Sequence, residues 1–374
     1  MSFRYASGIN KPGFNPLGAQ TTTFLYNLFS WGANGDGQLG LGNITSYSSP
    51  KQVGGLVTWI QISGGNSFAV ATKTDGTLWS WGVNNLGQLG LGDTVSRSSP
   101  VQVGALTAWL NIANGESFSV ATKTDGTLWS WGSNATYGQL GLGNTTDYSS
   151  PKQVGALTNW SKVACGRRHT IAIKTDGTLW TWGFGGYGQL GLNNTTYYSS
   201  PKQVGALTTW ATIAGGRDHT IAIKTDGTLW TWGRNGIGEL GLNNLTNYSS
   251  PKQVGALTTW LKAAGGMYRT AATTTAGALW TWGWGGDGQL GLGNTTDYSS
   301  PKQVGTLTNW LNTAIGYKYT VVTKTDGTLW SWGRNIVGEL GLGNTTNYSS
   351  PKQVGASTTW LAPASLRLST IALG

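Results

Sequence analysis

The pattern Leu229-Trp230-Thr231-Trp232-Gly233, followed by Gly238-Glu239-Leu240-Gly241-Leu242, returns seven times along the chain. Its anchoring tryptophans are Trp31, Trp81, Trp131, Trp182, Trp232, Trp282 and Trp332, spaced by 50 residues except for one interval of 51 near Thr136. Self-similarity at this period marks a repeat architecture, in which each small unit buries its apolar surface against its neighbours. A chain of 374 residues is long for one ordinary core and natural for a ring or solenoid of such units.

Each unit reads as four short strands, for example Pro201–Gly205, Trp210–Gly215, His219–Thr225 and Leu229–Gly233. In the third, Ile221 and Ile223 face one way and Thr220, Ala222 and Lys224 the other. Asp226-Gly227 between the last two strands is a hairpin signal, repeated at Asp75-Gly76, Asp125-Gly126, Asp176-Gly177 and Asp326-Gly327 and softened to Ala276-Gly277. The proline after Tyr-Ser-Ser reads as the start of an edge strand. With 59 glycines, the chain has material for many tight turns.

The two ends distinguish a ring from an open solenoid. The last unit stops at Thr370-Ile371-Ala372-Leu373, its third strand; the first begins at Leu28-Phe29-Ser30-Trp31, a fourth strand. The expected fold is all-β: a seven-bladed β-propeller of four-stranded antiparallel blades over residues 24–374, closed by pairing of 369–373 with about 25–31. Residues 1–23 lie outside the repeat and read as an extended arm, with Phe3, Arg4, Tyr5 and Phe14 as docking residues.

Composition excludes several classes. Twenty-one tryptophans and only 10% charged residues exclude a charged disordered chain. No run approaches ~18 apolar residues, so no membrane-spanning segment is expected. Residues 1–20 lack a secretory apolar region, so the expected location is a particle surface or otherwise the cytoplasm. Cys165 is the single cysteine and reads as a small buried thiol. The net charge of +10 suits an acidic partner, or simply reflects few acids on a Thr/Asn/Gly surface.

The segment Ala164-Cys165-Gly166-Arg167-Arg168-His169-Thr170, with Thr175-Asp176-Gly177-Thr178-Leu179-Trp180-Thr181-Trp182-Gly183 and Gly188-Gln189-Leu190-Gly191-Leu192, resembles the regulator of chromosome condensation repeat. The resemblance covers residues 24–374 and implies a seven-bladed propeller. It carries fold further than function, because activity resides in sites grafted on folds. The namesake's guanine-nucleotide exchange is not expected, since the blade insertions and acidic contact residues used for it are missing. The short leader Met1–Gly18 and uniform blades are loosely similar to bacteriophage virion proteins.

Comparing the units with one another points to the candidate surface. The most variable loop precedes the third strand and supplies Arg167, Arg168, His169, Arg217, His219, Tyr268, Arg269, Tyr317, Lys318 and Tyr319, which should converge at the channel mouth. A second variable loop follows Trp-Gly and supplies Phe184, Tyr187, Arg234, Trp284 and Arg334. Arginine with aromatic rings is the composition of a binding surface. A basic funnel would also attract anionic groups. His169 and His219 share one slot of adjacent units without the Cys or acids that would complete a metal shell, so no metal or cofactor is expected, and since the slot holds Phe and Tyr in other units a packing role is expected of both. Neither paired carboxylates nor a nucleophile with its base is visible, and a non-enzyme is expected. The expectation is a rigid disc displayed on an assembly such as a virion or tail, tethered by its arm, binding a protein or glycan through these loops. A soluble regulator, an enzyme inhibitor and a nucleic-acid-binding disc are the alternatives; oligomeric state is left open.

Overall fold

A computed structural model describes residues 26–55 and 58–374; the arm and its docking residues Phe3, Arg4, Tyr5 and Phe14 lie outside them. Among the described residues the chain forms seven four-stranded antiparallel sheets and no helix. One blade runs Trp210–Gly215, His219–Lys224, Leu229–Gly233 and Tyr248–Gln253, from the strand nearest the axis outward. The innermost strands touch one another round the ring. Closure occurs as the ends suggest. Leu28 pairs with Leu373, Ser30 with Ile371 and Gly32 with Ser369, and each end of the chain contributes two strands to that blade.

The seam between blades explains the repeated residues. Each anchoring tryptophan is fully buried, and its indole N–H donates to a carbonyl of the preceding unit: Trp232 to Gln189 at 2.9 Å, Trp282 to Glu239 at 3.0 Å. Across the closure, Trp31 donates to the Glu339 carbonyl at 3.0 Å. The ring face rests on the glycine of Gly-Leu. Gly241 has φ +73°, and a Cβ there would lie 2.6 Å from the Trp282 indole nitrogen. Only glycine fits both the backbone and the contact.

Strand alternation is present without a wet face. Ile221 and Ile223 pack into one core with Trp260 and Trp282, while Ala222 packs into the neighbouring core with Trp210 and Trp232. Thr220 is buried too, donating to the Gln189 carbonyl at 2.8 Å. Blades press on both faces, so polarity alternates in chemistry and not in exposure. The edge strand differs from expectation: it begins at Tyr198, three residues before Pro201. Pairing shifts register between Lys202 and Tyr198, and the proline sits in that irregular stretch, where its missing N–H breaks no ladder bond.

At the hairpins, Gly227 takes φ +78° and the Asp226 carboxylate accepts from the Thr228 N–H and hydroxyl at 3.0 and 2.7 Å. The Thr228 hydroxyl in turn accepts the Trp230 indole N–H at 2.9 Å.

Candidate functional site

The seven variable loops do converge. They line an axial cavity of about 460 Å³, to which each blade contributes its residues between the two innermost strands, such as Gly166-Arg167 and Gly216-Arg217. Backbone hydrogen bonds link loop to loop: Glu116 N–H to the Arg167 carbonyl, Arg167 N–H to Arg217, Arg367 N–H to Asn66, each at 3.0 Å. The Tyr317 carbonyl accepts instead from the Arg269 guanidinium at 3.0 Å. The mouth is therefore a rigid collar, which keeps its side chains in place without a partner.

Four of the residues expected on this surface are withdrawn from it. His169, His219, Arg269 and Tyr319 occupy the first position of the second strand and are buried in the seam between blades. His169 Nε2 meets the Thr220 hydroxyl at 3.0 Å and His219 Nε2 meets the Thr270 hydroxyl at 2.9 Å, so both are inter-blade struts. Burial pushes each imidazole down to about 3. Arg269 donates to the carbonyls of Tyr317, Gly316 and Tyr319, at 3.0, 3.0 and 2.6 Å. Those acceptors keep its guanidinium charged, although burial lowers it to about 9. The Tyr319 hydroxyl donates to the Ser369 carbonyl. Among the described residues no metal-holding cluster is found.

The remaining cations are more neutralised than their loops alone suggest. Glu116 Oε2 lies 2.8 Å from Arg167 and 3.4 Å from Arg168, and Asp218 lies 3.4 Å from Arg217. Asp287 pairs with Lys318 at 3.2 Å. The buried Glu239 pairs with Arg234 at 2.7 Å, and Glu339 stands 4.0 Å from Arg334. Desolvation raises both glutamates above the ordinary carboxylate value.

The family model described as RCC1-like domain matches residues 27–374. The chain belongs to the RCC1-like family. A 50-residue stretch is 46% identical to the ultraviolet-B receptor UVR8 of Arabidopsis thaliana, covering 13% of this chain and 11% of that one, so the match spans about a tenth of the relative's length. Among solved structures, Prp20p of Saccharomyces cerevisiae superposes with TM-score 0.84 at 19% identity, covering 94% of this chain and 92% of that one. Human WBSCR16 gives TM-score 0.84 at 22% identity over 93% and 98%. At such identities these two show the fold alone.

The RCC1-like collar carries a rim of aromatic rings packed edge to face. Tyr137, Phe184, Tyr187 and Tyr197 form one cluster, with centroids 4.9–5.8 Å apart. Tyr187 is 40% exposed and Tyr197 44%. Arg168 stacks on Tyr137 at 5.1 Å. Further round, Tyr268 receives Arg234 at 4.3 Å and Arg217 at 5.2 Å. Trp284, one of the contacts expected from the second loop, is half-buried and lies under Lys318 at 4.7 Å, with Tyr268 edge-on at 6.4 Å.

Tyr197 was not singled out from the sequence, yet a signal existed. Its slot holds Ser46, Ser96, Asp147, Asn247, Asp297 and Asn347 in the other units. There the side chain caps a backbone N–H, as Asn247 does for Asn235 at 2.8 Å. An aromatic ring in a capping slot has exchanged that duty for another.

Proposed function

We propose that this RCC1-like propeller is a non-enzymatic interaction protein that grips a protein partner on the collar rim. The observation that supports this most directly is the rim from Tyr197 through Tyr137 and Arg168 to Tyr268 and Trp284, where aromatic rings and cations are already stacked with rings still exposed. Pre-stacked Tyr, Trp and Arg form hot spots because little side-chain entropy remains to be lost on binding. Prp20p is described with binding to Gsp1p and histones, and yeast RCC1 (Prp20) has been solved with Kap60 at TM-score 0.82 and 20% identity, covering 100% of this chain and 94% of that one. A disc of this fold can therefore present protein-binding faces.

The proposal that it is not an enzyme rests on chemistry. The buried imidazoles are held as struts, and burial pushes the Cys165 thiol above its ordinary value, against thiolate formation. Display on a virion or other particle, and tethering by residues 1–23, is the finer part of the proposal and rests on the leader and the uniform blades.

The test is affinity capture with the full chain and its Tyr187→Ala/Tyr197→Ala/Arg168→Ala variant, read by cross-linking mass spectrometry. Cross-links from one partner mapping to the rim, and at least tenfold weaker capture by the variant, uphold the reading. Equal capture by both proteins, or cross-links confined to the outer strands, overturns it.

A further inference from the structure

Two lysines on the innermost strands, Lys162 and Lys262, have no ion pair among the described residues. The third residue of an innermost strand reaches towards the next innermost strand along the channel wall, as Asn111 does to the Ser161 carbonyl at 2.9 Å and Asn312 to the Leu361 carbonyl at 2.8 Å. Two blades place lysine there. Lys162 donates to the Ala211 carbonyl; Lys262 donates to Asn312 Oδ1 at 2.7 Å and the Leu311 carbonyl at 3.4 Å. Lys162 is exposed on its innermost strand, three residues before Cys165, which lines the cavity at the mouth. Burial lowers Lys262 to about 8, with no carboxylate acting to oppose it.

At the mouth, Arg167, Arg217 and Arg367 line the cavity, and Glu116 is the sole acid among its lining residues. Arg367 stacks on Tyr317 at 5.1 Å and has no ion pair among the described residues. Arg167, Arg217 and Arg367 against Glu116 leave the lining at +2, or +1 when Asp218 beside Arg217 is included, and Lys162 and Lys262 add positive charge from the innermost strands outside that lining. A narrow channel with low-dielectric walls concentrates such a field. Guanidinium forks match paired oxygens, and about 460 Å³ is a small-molecule volume.

We propose that the axial channel binds one compact, multiply charged oxyanion, gripped at the mouth by Arg167, Arg217 and Arg367 and attracted from within by Lys262 and Lys162. This site adjoins the rim, since Arg217 stacks on Tyr268 and Glu116 bridges Arg167 and Arg168, so its test uses Arg367 and Lys262, which the rim does not include.

Calorimetric titration of the full chain with inorganic tripolyphosphate, and separately with citrate, in 0.15 M sodium chloride tests it. One equivalent should bind. Arg367→Gln/Lys262→Gln should weaken binding at least tenfold, and Glu116→Gln should tighten it several-fold. Lys252→Gln, on an outermost strand, should leave it unchanged. Binding of tripolyphosphate but not citrate assigns phosphate chemistry, and the reverse assigns polycarboxylate; either upholds the site. Binding of neither, or several equivalents weakened as much by Lys252→Gln as by the axial pair, overturns it. Should the axial pair fail to fold by circular dichroism, an unchanged affinity in Glu116→Gln overturns it equally.

Discussion

Ala276 and Ala278 remove from one hairpin the carboxylate and hydroxyl that the equivalent turns keep. In those turns Thr228 and Thr328 accept the indole N–H of Trp230 and Trp330 at 2.9 Å. Trp280 is left with a buried indole N–H and no acceptor. Ala276→Asp/Ala278→Thr should restore the relay and stabilise the protein by about 1 kcal/mol, measured by chemical denaturation. A second residue-level correlation is the Arg–Glu pair. Glutamate replaces glutamine at positions 239 and 339, in the two units that carry Arg234 and Arg334 five residues earlier. Arg234→Ala leaves the buried Glu239 uncompensated and should cost about 3 kcal/mol at pH 7, whereas Arg234→Ala/Glu239→Gln should cost under about 1. The sign with pH follows from the raised Glu239 value: the folded state binds the proton more tightly, so the penalty in Arg234→Ala should shrink as pH falls towards 4 and grow as it rises. This pairing was legible in the sequence, since both partners change together between units. The buried slot of His169, His219, Arg269 and Tyr319 was legible in part, because Phe68 and Phe118 in the same slot point to packing for the histidines. Its variability looked like surface freedom, but the seam accepts any group that can donate to, or pack against, the next blade.

The seam between blades is also where the glycines divide into two kinds. Gly241 faces the Trp282 ring, and Gly241→Ala combines a left-handed backbone with a 2.6 Å clash, for an expected loss of about 3 kcal/mol. Gly143 has φ +78° but meets only the Ser200 hydroxyl, 3.7 Å away. Asn193 and Asn243 already occupy its slot with φ 61° and 57°, so Gly143→Asn should cost under about 1 kcal/mol in the same assay. The sequence already separates the two slots, since asparagine replaces one and never the other, and the neighbouring blade supplies the steric reason. The histidine struts predict the pH response of the seam. Their folded values of about 3 lie below the ordinary ~6.5, so the unfolded chain takes up the protons first. Stability from this source is complete above about pH 6.5 and lost as pH falls towards 3. His169→Phe/His219→Phe, which copies Phe68 and Phe118, should flatten that part of the stability curve. An unchanged slope between pH 6.5 and 4 would show that the acid sensitivity originates elsewhere.

For the whole molecule, the repeat period and the complementary incomplete ends made both the ring and its closure readable before any coordinates. The axial field was less accessible. Lys162 and Lys262 recur at one repeat position, but a linear sequence does not show that this position lies on the innermost strand of each blade. Closure is also the feature on which the ring's cooperativity rests. Leu28–Gly32 pairs with Ser369–Leu373 along its full length, and Asn27 and Gly374 exchange backbone hydrogen bonds at 3.0 and 3.1 Å. Those strands carry Trp31 and Ala372 into one core and Ile371 and Leu373 into the next, so one pairing serves two seams. In an open array, stability is a sum of units and interfaces, and end units fray first. In a closed ring no blade is an end. Deleting residues 369–374 should therefore lower the melting temperature by about 4 °C for every ~3 kcal/mol of seam energy lost at this size. It should also replace a single calorimetric transition with a broad or stepwise one. A truncated chain that still melts in one sharp transition near the full-length temperature would mean that the blades hold together through their seams alone, with closure adding little.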